Sequence, residues 1–266
     1  MADLPLVSLA ALTILDAGPA GQIRAAAAAG FKSVGLRLNP LLASDPQVTG
    51  TPLEAEVEAL MRETGLQMLE AGVFPIKPDL EVESLRPVIA LTARIGGRFI
   101  VCPVEDADVT RRLQTYRTLC DLCAAYGLAA LVEFNPYSAC RSLGEARAMA
   151  LAAARDNAAL VIDLLHLSRS GGTADDLRKV EPHLLQLVHY CDAAPMPDGE
   201  RTQEELRAES RTARRLPGEG VLPLKDLLSA FPKGTPVSVE SPSKSLVGLS
   251  AEERARKVFE ATFSSL

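Results

Sequence analysis

The sequence predicts an α/β fold, a (β/α)8 TIM barrel closed by a parallel sheet. Two observations carry this. Strand-like and helix-like segments alternate eight times along the chain, and four of the later strands end on residues able to bind one divalent metal. Units of this kind, each with a right-handed crossover, close naturally into a barrel. A doubly wound open sheet is the competing arrangement. It gathers its site at a single switch point, whereas a barrel points every strand C-terminus at one mouth.

The strand-like segments are Leu4–Leu9, Ser33–Leu38, Leu66–Val73, Arg98–Cys102, Leu128–Glu133, Ala159–Asp163, Leu185–His189 and Val237–Glu240. The helical stretches are Gln22–Ala29, Pro52–Thr64, Leu80–Ile95, Ala107–Tyr126, Leu143–Arg155, Ala174–Lys179, Leu222–Ala230 and Glu252–Ser264. Thr51-Pro52 offers an N-cap before a proline at the first helical position, and Gly65 and Gly127 stand where helices end. No linker or repeat splits the chain, so residues 1–266 are read as one barrel domain. Cys191–Gly220, about thirty residues rich in Pro, Glu and Arg, is expected to be a structureless insertion; such segments are usually functional. Following the His189 strand, it is a candidate lid at 191–220.

A chain of 266 residues suits one such barrel, and 47% apolar residues suit its core. No apolar run approaches the length of about 18 residues that a membrane helix needs. MADLPLVSLAAL lacks a basic start and a cleavage signature, so a cytoplasmic protein is expected. Five scattered cysteines fit reduced thiols in a cytosol. Cys120 and Cys123 form a CxxC inside an apolar helix without a second pair, which reads as core packing. A net charge of −6 argues against a nucleic-acid surface.

LAALVE, ALVID, LQLVH and VSVE are apolar runs stopped by Glu133, Asp163, His189 and Glu240. A polar residue closing a buried strand is costly unless something there binds it. A lone Glu in that place is commonly a surface residue or a helix cap, but four on consecutive strands of a barrel share one rim. Three carboxylates and one imidazole suit a single Mn²⁺, Mg²⁺ or Co²⁺ with positions open to substrate oxygens, and Zn²⁺ is a further candidate. Structural zinc prefers thiolates, absent from this set.

His166, three residues past Asp163, can return to the mouth as a substrate partner or proton shuttle; a capping or core histidine is the alternative. His183 precedes its strand and belongs to the opposite face. Asp192 and Asn135 are candidates to orient ligands, or plain loop residues. Arg211 and Arg214, one helical turn apart in RTARRLPGEG, could meet an anionic or polyhydroxyl substrate from the lid. Arg37 closes the second strand and Glu70 lies within the third. Charges in such apolar contexts are not expected to stay unpaired, so they either contact substrate or pair with each other. Gly171-Gly172 is a weak phosphate-loop hint. No GxSxG, Walker or GxGxxG motif follows a strand.

With LVEF, IDLLH, LVHYCDA, RxxRxLPGEG and VSVES in this order, the chain resembles the xylose-isomerase-like TIM-barrel superfamily over essentially its whole length. The resemblance implies Glu133, Asp163, His189 and Glu240 as metal ligands and His166 as the histidine contacting substrate. It implies small-molecule keto-sugar or cyclitol substrates, with neither nucleic acid nor membrane as a partner; a homo-oligomer is left open. Its DNA-cleaving branch needs more histidines than the three present. A Glu is common on the second strand of these proteins, where Arg37 stands here.

The expected activity is a divalent-metal-dependent isomerase or epimerase acting on a keto-sugar or keto-polyol through an enediolate. Glu133 and Glu240 would move the proton. A dehydratase of an inosose or 3-dehydroshikimate-like substrate, with His166 as acid, and a non-catalytic sugar-binding barrel are the alternatives.

Overall fold

The structure is a computed structural model describing residues 4–197 and 199–266. Met1–Asp3, the start of the segment read for a secretory signature, and Asp198, within the expected lid, lie outside the described residues.

The strands are β1 (Val7–Leu9), β2 (Ser33–Leu36), β3 (Gln67–Gly72), β4 (Phe99–Pro103), β5 (Ala129–Glu133), β6 (Ala158–Asp163), β7 (Leu185–Tyr190) and β8 (Val237–Val239). They pair in parallel in chain order, and β8 pairs back onto β1, so the sheet is a closed barrel. The α-helices among the described residues are α1 (Gly18–Ala29), α2 (Pro52–Thr64), α3 (Arg86–Arg94), α4 (Val109–Ala124), α5 (Leu143–Ala153), α6 (Leu164–Arg169), α7 (Ala174–Leu177), α8 (Gln203–Thr212), α9 (Leu224–Ser229) and α10 (Ala251–Ser265). None is long and apolar enough to cross a membrane.

Because side chains alternate along a strand, each strand feeds two separate cores. Val34, Ile100, Val132, Ile162 and Val188 pack outward in the layer beneath the helices. Leu69, Phe99, Val101, Leu131, Val161 and Leu187 form a second cluster inside the barrel. The next inward positions on β5, β6 and β7 are Glu133, Asp163 and His189, which puts the site directly on this apolar plug. By the same alternation, β1, β2 and β8 turn only small residues inward: Ser8, Ser33, Gly35 and Ser238.

Local chemistry sets the boundaries. Asp108 caps α4, accepting from Arg111 N–H at 2.9 Å, and Ser142 caps α5. The stretch expected as one helix over Leu80–Ile95 instead divides into a 3-10 turn, Val82–Leu85, and α3. Pro87 has no N–H and fits only the first turn of a helix. Thr51 does not cap α2 with its side chain; its hydroxyl donates to the Gln47 and Val48 carbonyls. Gly65 does end α2, in the left-handed region at φ 64°.

The segment Cys191–Gly220 is not structureless. It contains α8, opened by a capping box in which Thr202 and Glu205 each bond the other's backbone N–H. Arg169 fixes this helix through Glu209 at 2.7 Å, and Tyr137, beyond β5, meets Ser210 at 2.7 Å. All five cysteines are free and buried, with burial pushing the Cys120 and Cys123 thiols up.

Candidate metal centre

Glu133 ends β5, Asp163 ends β6, His189 is the penultimate residue of β7 and Glu240 follows β8. Each offers one ligand-type atom, and these four atoms lie within 4.8 Å of one another. His189 Nδ1 stands 3.5 Å from Glu133 Oε1 and 3.6 Å from Glu240 Oε2. All four side chains are buried, and neither His189 ring nitrogen has a hydrogen-bond partner among the described residues. Buried polar groups are normally satisfied, so orphaned ring nitrogens among converging carboxylates fit a divalent cation.

Asp163 has two further tasks. It is the N-cap of α6, where its Oδ1 accepts from His166 N–H at 2.9 Å, and its Oδ2 accepts from Arg214 Nη1. Arg214 also reaches Glu240 Oε2 at 2.9 Å, and its Nε–H donates to the Ser210 carbonyl at 2.7 Å. Burial favours a neutral Asp163, but the Arg214 guanidinium and the two histidines outweigh it and hold the carboxyl well below its ordinary range. Glu240 differs: burial pushes it up to about 7 against the pull of His189 and Arg214.

Arg211 and Arg214 therefore do not act as a pair reaching in from a lid. Arg211 is exposed on α8, while Arg214 is 2% exposed and bonded to two of the three site carboxylates. The helix ends between them at Thr212, so one helical spacing does not relate the two side chains.

His166 lies in the first turn of α6, buried beside Asp163, with the Tyr137 ring edge-on at 5.6 Å. Burial lowers its pKa against the opposing pull of Asp163, so the ring is neutral near pH 7. Tyr137 escaped the sequence reading; its only trace there is its position four residues beyond Glu133. Arg207 of α8 lies over its ring at 5.1 Å.

Arg37 and Glu70 do not pair. Arg37, just past β2, has Asp45 Oδ2 at 3.7 Å, and burial lowers its pKa against the pulls of Asp45, Glu240 and Glu133. Glu70 is 3% exposed inside the barrel, and its Oε1 accepts from the Ser238 hydroxyl at 2.6 Å. The cause is a bulge: Val34 pairs with Met68, but Leu36 pairs with Ala71, so β3 carries one extra residue and turns both Leu69 and Glu70 inward.

Asp192 organises backbone rather than ligands. Its carboxylate accepts from the N–H groups of Ala193, Gly218, Gly220 and Leu222, at 2.8, 3.1, 2.9 and 3.0 Å, and so moulds the LPGEG turn. Asn135 is buried with its backbone N–H on the Cys140 carbonyl and its Oδ1 without a partner among the described residues. His183 sits in the turn before β7, in a cleft with Arg98 and Asn157 at the opposite end of the barrel. Gly172 N–H donates to the Leu167 carbonyl at 2.9 Å, so the Gly171-Gly172 pair closes α6.

Comparison with known proteins agrees with this architecture. An inosose isomerase of Bacillus licheniformis is 31% identical over 194 residues, 68% of this chain and 67% of that protein. An inosose isomerase of Halalkalibacterium halodurans is 29% identical over 149 residues, so the chain spans only 50% of that relative's length. Among solved structures, the IOLI protein with a bound zinc atom superposes with a TM-score of 0.79 at 18% identity, covering 98% of both chains. D-allulose 3-epimerase from Methylomonas sp. in complex with D-allulose superposes at 0.70 and 17% identity, covering 100% of this chain and 99% of that one. The family profile described as xylose isomerase-like TIM barrel matches residues 23–263, and the chain belongs to that family.

Proposed function

We propose that the protein is a divalent-metal-dependent isomerase or epimerase of a keto-sugar or cyclitol. The observation that carries this reading is the convergence of Glu133, Asp163, His189 and Glu240 within 4.8 Å at the mouth of the barrel. Two relatives named inosose isomerase support a cyclitol ketone as the first substrate to try. Mn²⁺, Mg²⁺ and Co²⁺ suit the oxygen-rich donors, and the zinc atom in the IOLI structure keeps Zn²⁺ among the candidates.

A cation held by these four residues would act as a Lewis acid toward a vicinal hydroxy-ketone, lowering the cost of removing the proton beside its carbonyl. Glu133 and Glu240 approach the His189 ring from β5 and β8, so one takes that proton and the other returns it, to the opposite face of the same carbon for an epimer or to the neighbouring carbon for an isomer. His166, neutral and fixed by Tyr137 and the Asp163 cap, donates a hydrogen bond to a substrate oxygen and can relay its proton. Arg37 and the exposed Arg211 contact further substrate oxygens at the rim. Arg214 holds Asp163 and Glu240 in place. Five buried free thiols fit a reducing cytosol.

Incubation with inososes and keto-sugars in D₂O with Mn²⁺, Mg²⁺, Co²⁺ or Zn²⁺ tests the reading. Deuterium should enter the carbon beside the carbonyl, and Glu240→Gln should abolish the exchange while the fold is retained. Binding without exchange would leave a non-catalytic sugar-binding barrel. A product lighter by one water would make the enzyme a dehydratase.

A further inference from the structure

Glu70 is a buried carboxylate that the proposed chemistry leaves without a task. Inside an apolar barrel a carboxylate with one neutral donor is costly, so its surroundings should reveal what it is kept for. Its Oε1 accepts from Ser238 and lies 3.8 Å from His189 Nε2, while its Oε2 is buried with no hydrogen-bond partner among the described residues. Arg37, the partner the sequence offered for it, faces Asp45 instead.

Its placement is built in. The bulge in β3 turns the side chain inward, and Gly35 on β2 leaves the space it fills: a Cβ there would stand 2.3 Å from Glu70 Oε1 and 2.8 Å from its carboxyl carbon. The carboxylate thus rests between a missing side chain and a serine hydroxyl, beside the Nε2 edge of the His189 ring. Nδ1 of the same ring faces Glu133 and Glu240.

We infer that Glu70 is a positioning residue for His189, accepting a hydrogen bond from Nε2–H and so keeping the Nδ1 lone pair directed at the other three site residues. A neutral imidazole carries its proton on either nitrogen, and only the Nε2–H tautomer leaves Nδ1 free to ligate. A small rotation of ring or carboxylate closes the remaining gap. Carboxylate partners of this kind fix ring orientation, and their loss typically weakens metal affinity 10–100-fold. Ser238 fixes the carboxylate in turn, so the chain of contacts runs from β8 through β3 to β7.

The inference rests on the proposed metal site, and calorimetric titration with Zn²⁺ or Mn²⁺ separates the two. Glu70→Gln keeps the shape and an acceptor for Ser238 but offers His189 an amide. It should bind the ion about 10–100-fold more weakly. Gly35→Ala, which displaces the carboxylate without changing its charge, should weaken binding in the same direction. ¹⁵N NMR of the unsubstituted Zn²⁺-loaded protein needs no variant, and should place the His189 ring proton on Nε2. If the unsubstituted protein binds no divalent ion, both readings fall. If it binds and Glu70→Gln binds equally well, or the ring proton sits on Nδ1, the role of Glu70 alone is overturned. A lowered melting temperature of the metal-free variant with unchanged affinity would likewise reduce Glu70 to a structural part.

Discussion

Arg214 Nη2 stands 2.9 Å from Glu240 Oε2, so the segment following β7 is bonded to the residue that follows β8. The same guanidinium holds Asp163, which makes one arginine the shared counter-charge of two carboxylates from different strands. A bidentate, planar cation suits this better than a point charge.

Removing that cation leaves two buried carboxylates facing each other. Arg214→Met should therefore lose about 3–5 kcal/mol of stability in the metal-free protein, measured by urea unfolding. Added divalent cation should recover part of the loss, because it supplies positive charge to the same carboxylates. A metal-free variant as stable as the unsubstituted protein would contradict this role.

The LPGEG turn depends on Asp192, whose carboxylate receives four backbone N–H groups. Asp192→Asn replaces one acceptor oxygen by a donor and should cost about 1.5–3 kcal/mol, since hydrogen bonds to a charged acceptor are at stake. Gly220→Ala attacks the same turn from the other side: its Cβ would lie 2.3 Å from both the Ala193 carbonyl oxygen and Asp192 Oδ1. Both variants should melt earlier and admit protease near residues 216–222. Unchanged melting in both would show that the turn is held otherwise.

Metal affinity should rise with pH. Burial raises Glu240 from 4.5 to about 7. Burial alone would lower His189, but Glu240, Glu133 and Glu70 raise it from 6.5 to about 10. Both folded-state values lie above the unfolded ones, so the folded metal-free chain binds the extra protons. Their stabilising contribution is complete below pH 4.5 for Glu240 and 6.5 for His189, and is lost as pH climbs through about 7 and about 10. A cation must displace those protons, so affinity should gain about tenfold per pH unit for each proton released. Titrations in buffers on either side of neutrality check this; affinity independent of pH would refute it.

Much of the site was legible because each of its four residues closes an apolar run, a pattern that survives small errors in strand boundaries. Glu240 shows this: β8 ends at Val239, yet its successor still stands at the mouth. That Glu70 does not pair with Arg37 was not legible, because the bulge that turns it inward leaves no mark in residue type. Gly35 was the missed clue, an unneeded glycine unless a neighbour fills its place. The helix α8 had a readable start in Thr202-Gln-Glu-Glu205, hidden by a polar composition with little apolar periodicity. Arg214 was grouped with Arg211 as a lid residue because nothing in RTARRLPGEG separates the two. Only the fold does, by ending α8 between them.

Anomalous diffraction from crystals grown with Mn²⁺ or Zn²⁺ tests the central claim most directly. One strong peak per chain is expected, about 2.0–2.2 Å from a carboxylate oxygen of Glu133, Asp163 and Glu240 and from Nδ1 of His189. A peak elsewhere, or none with the metal in excess, would contradict it.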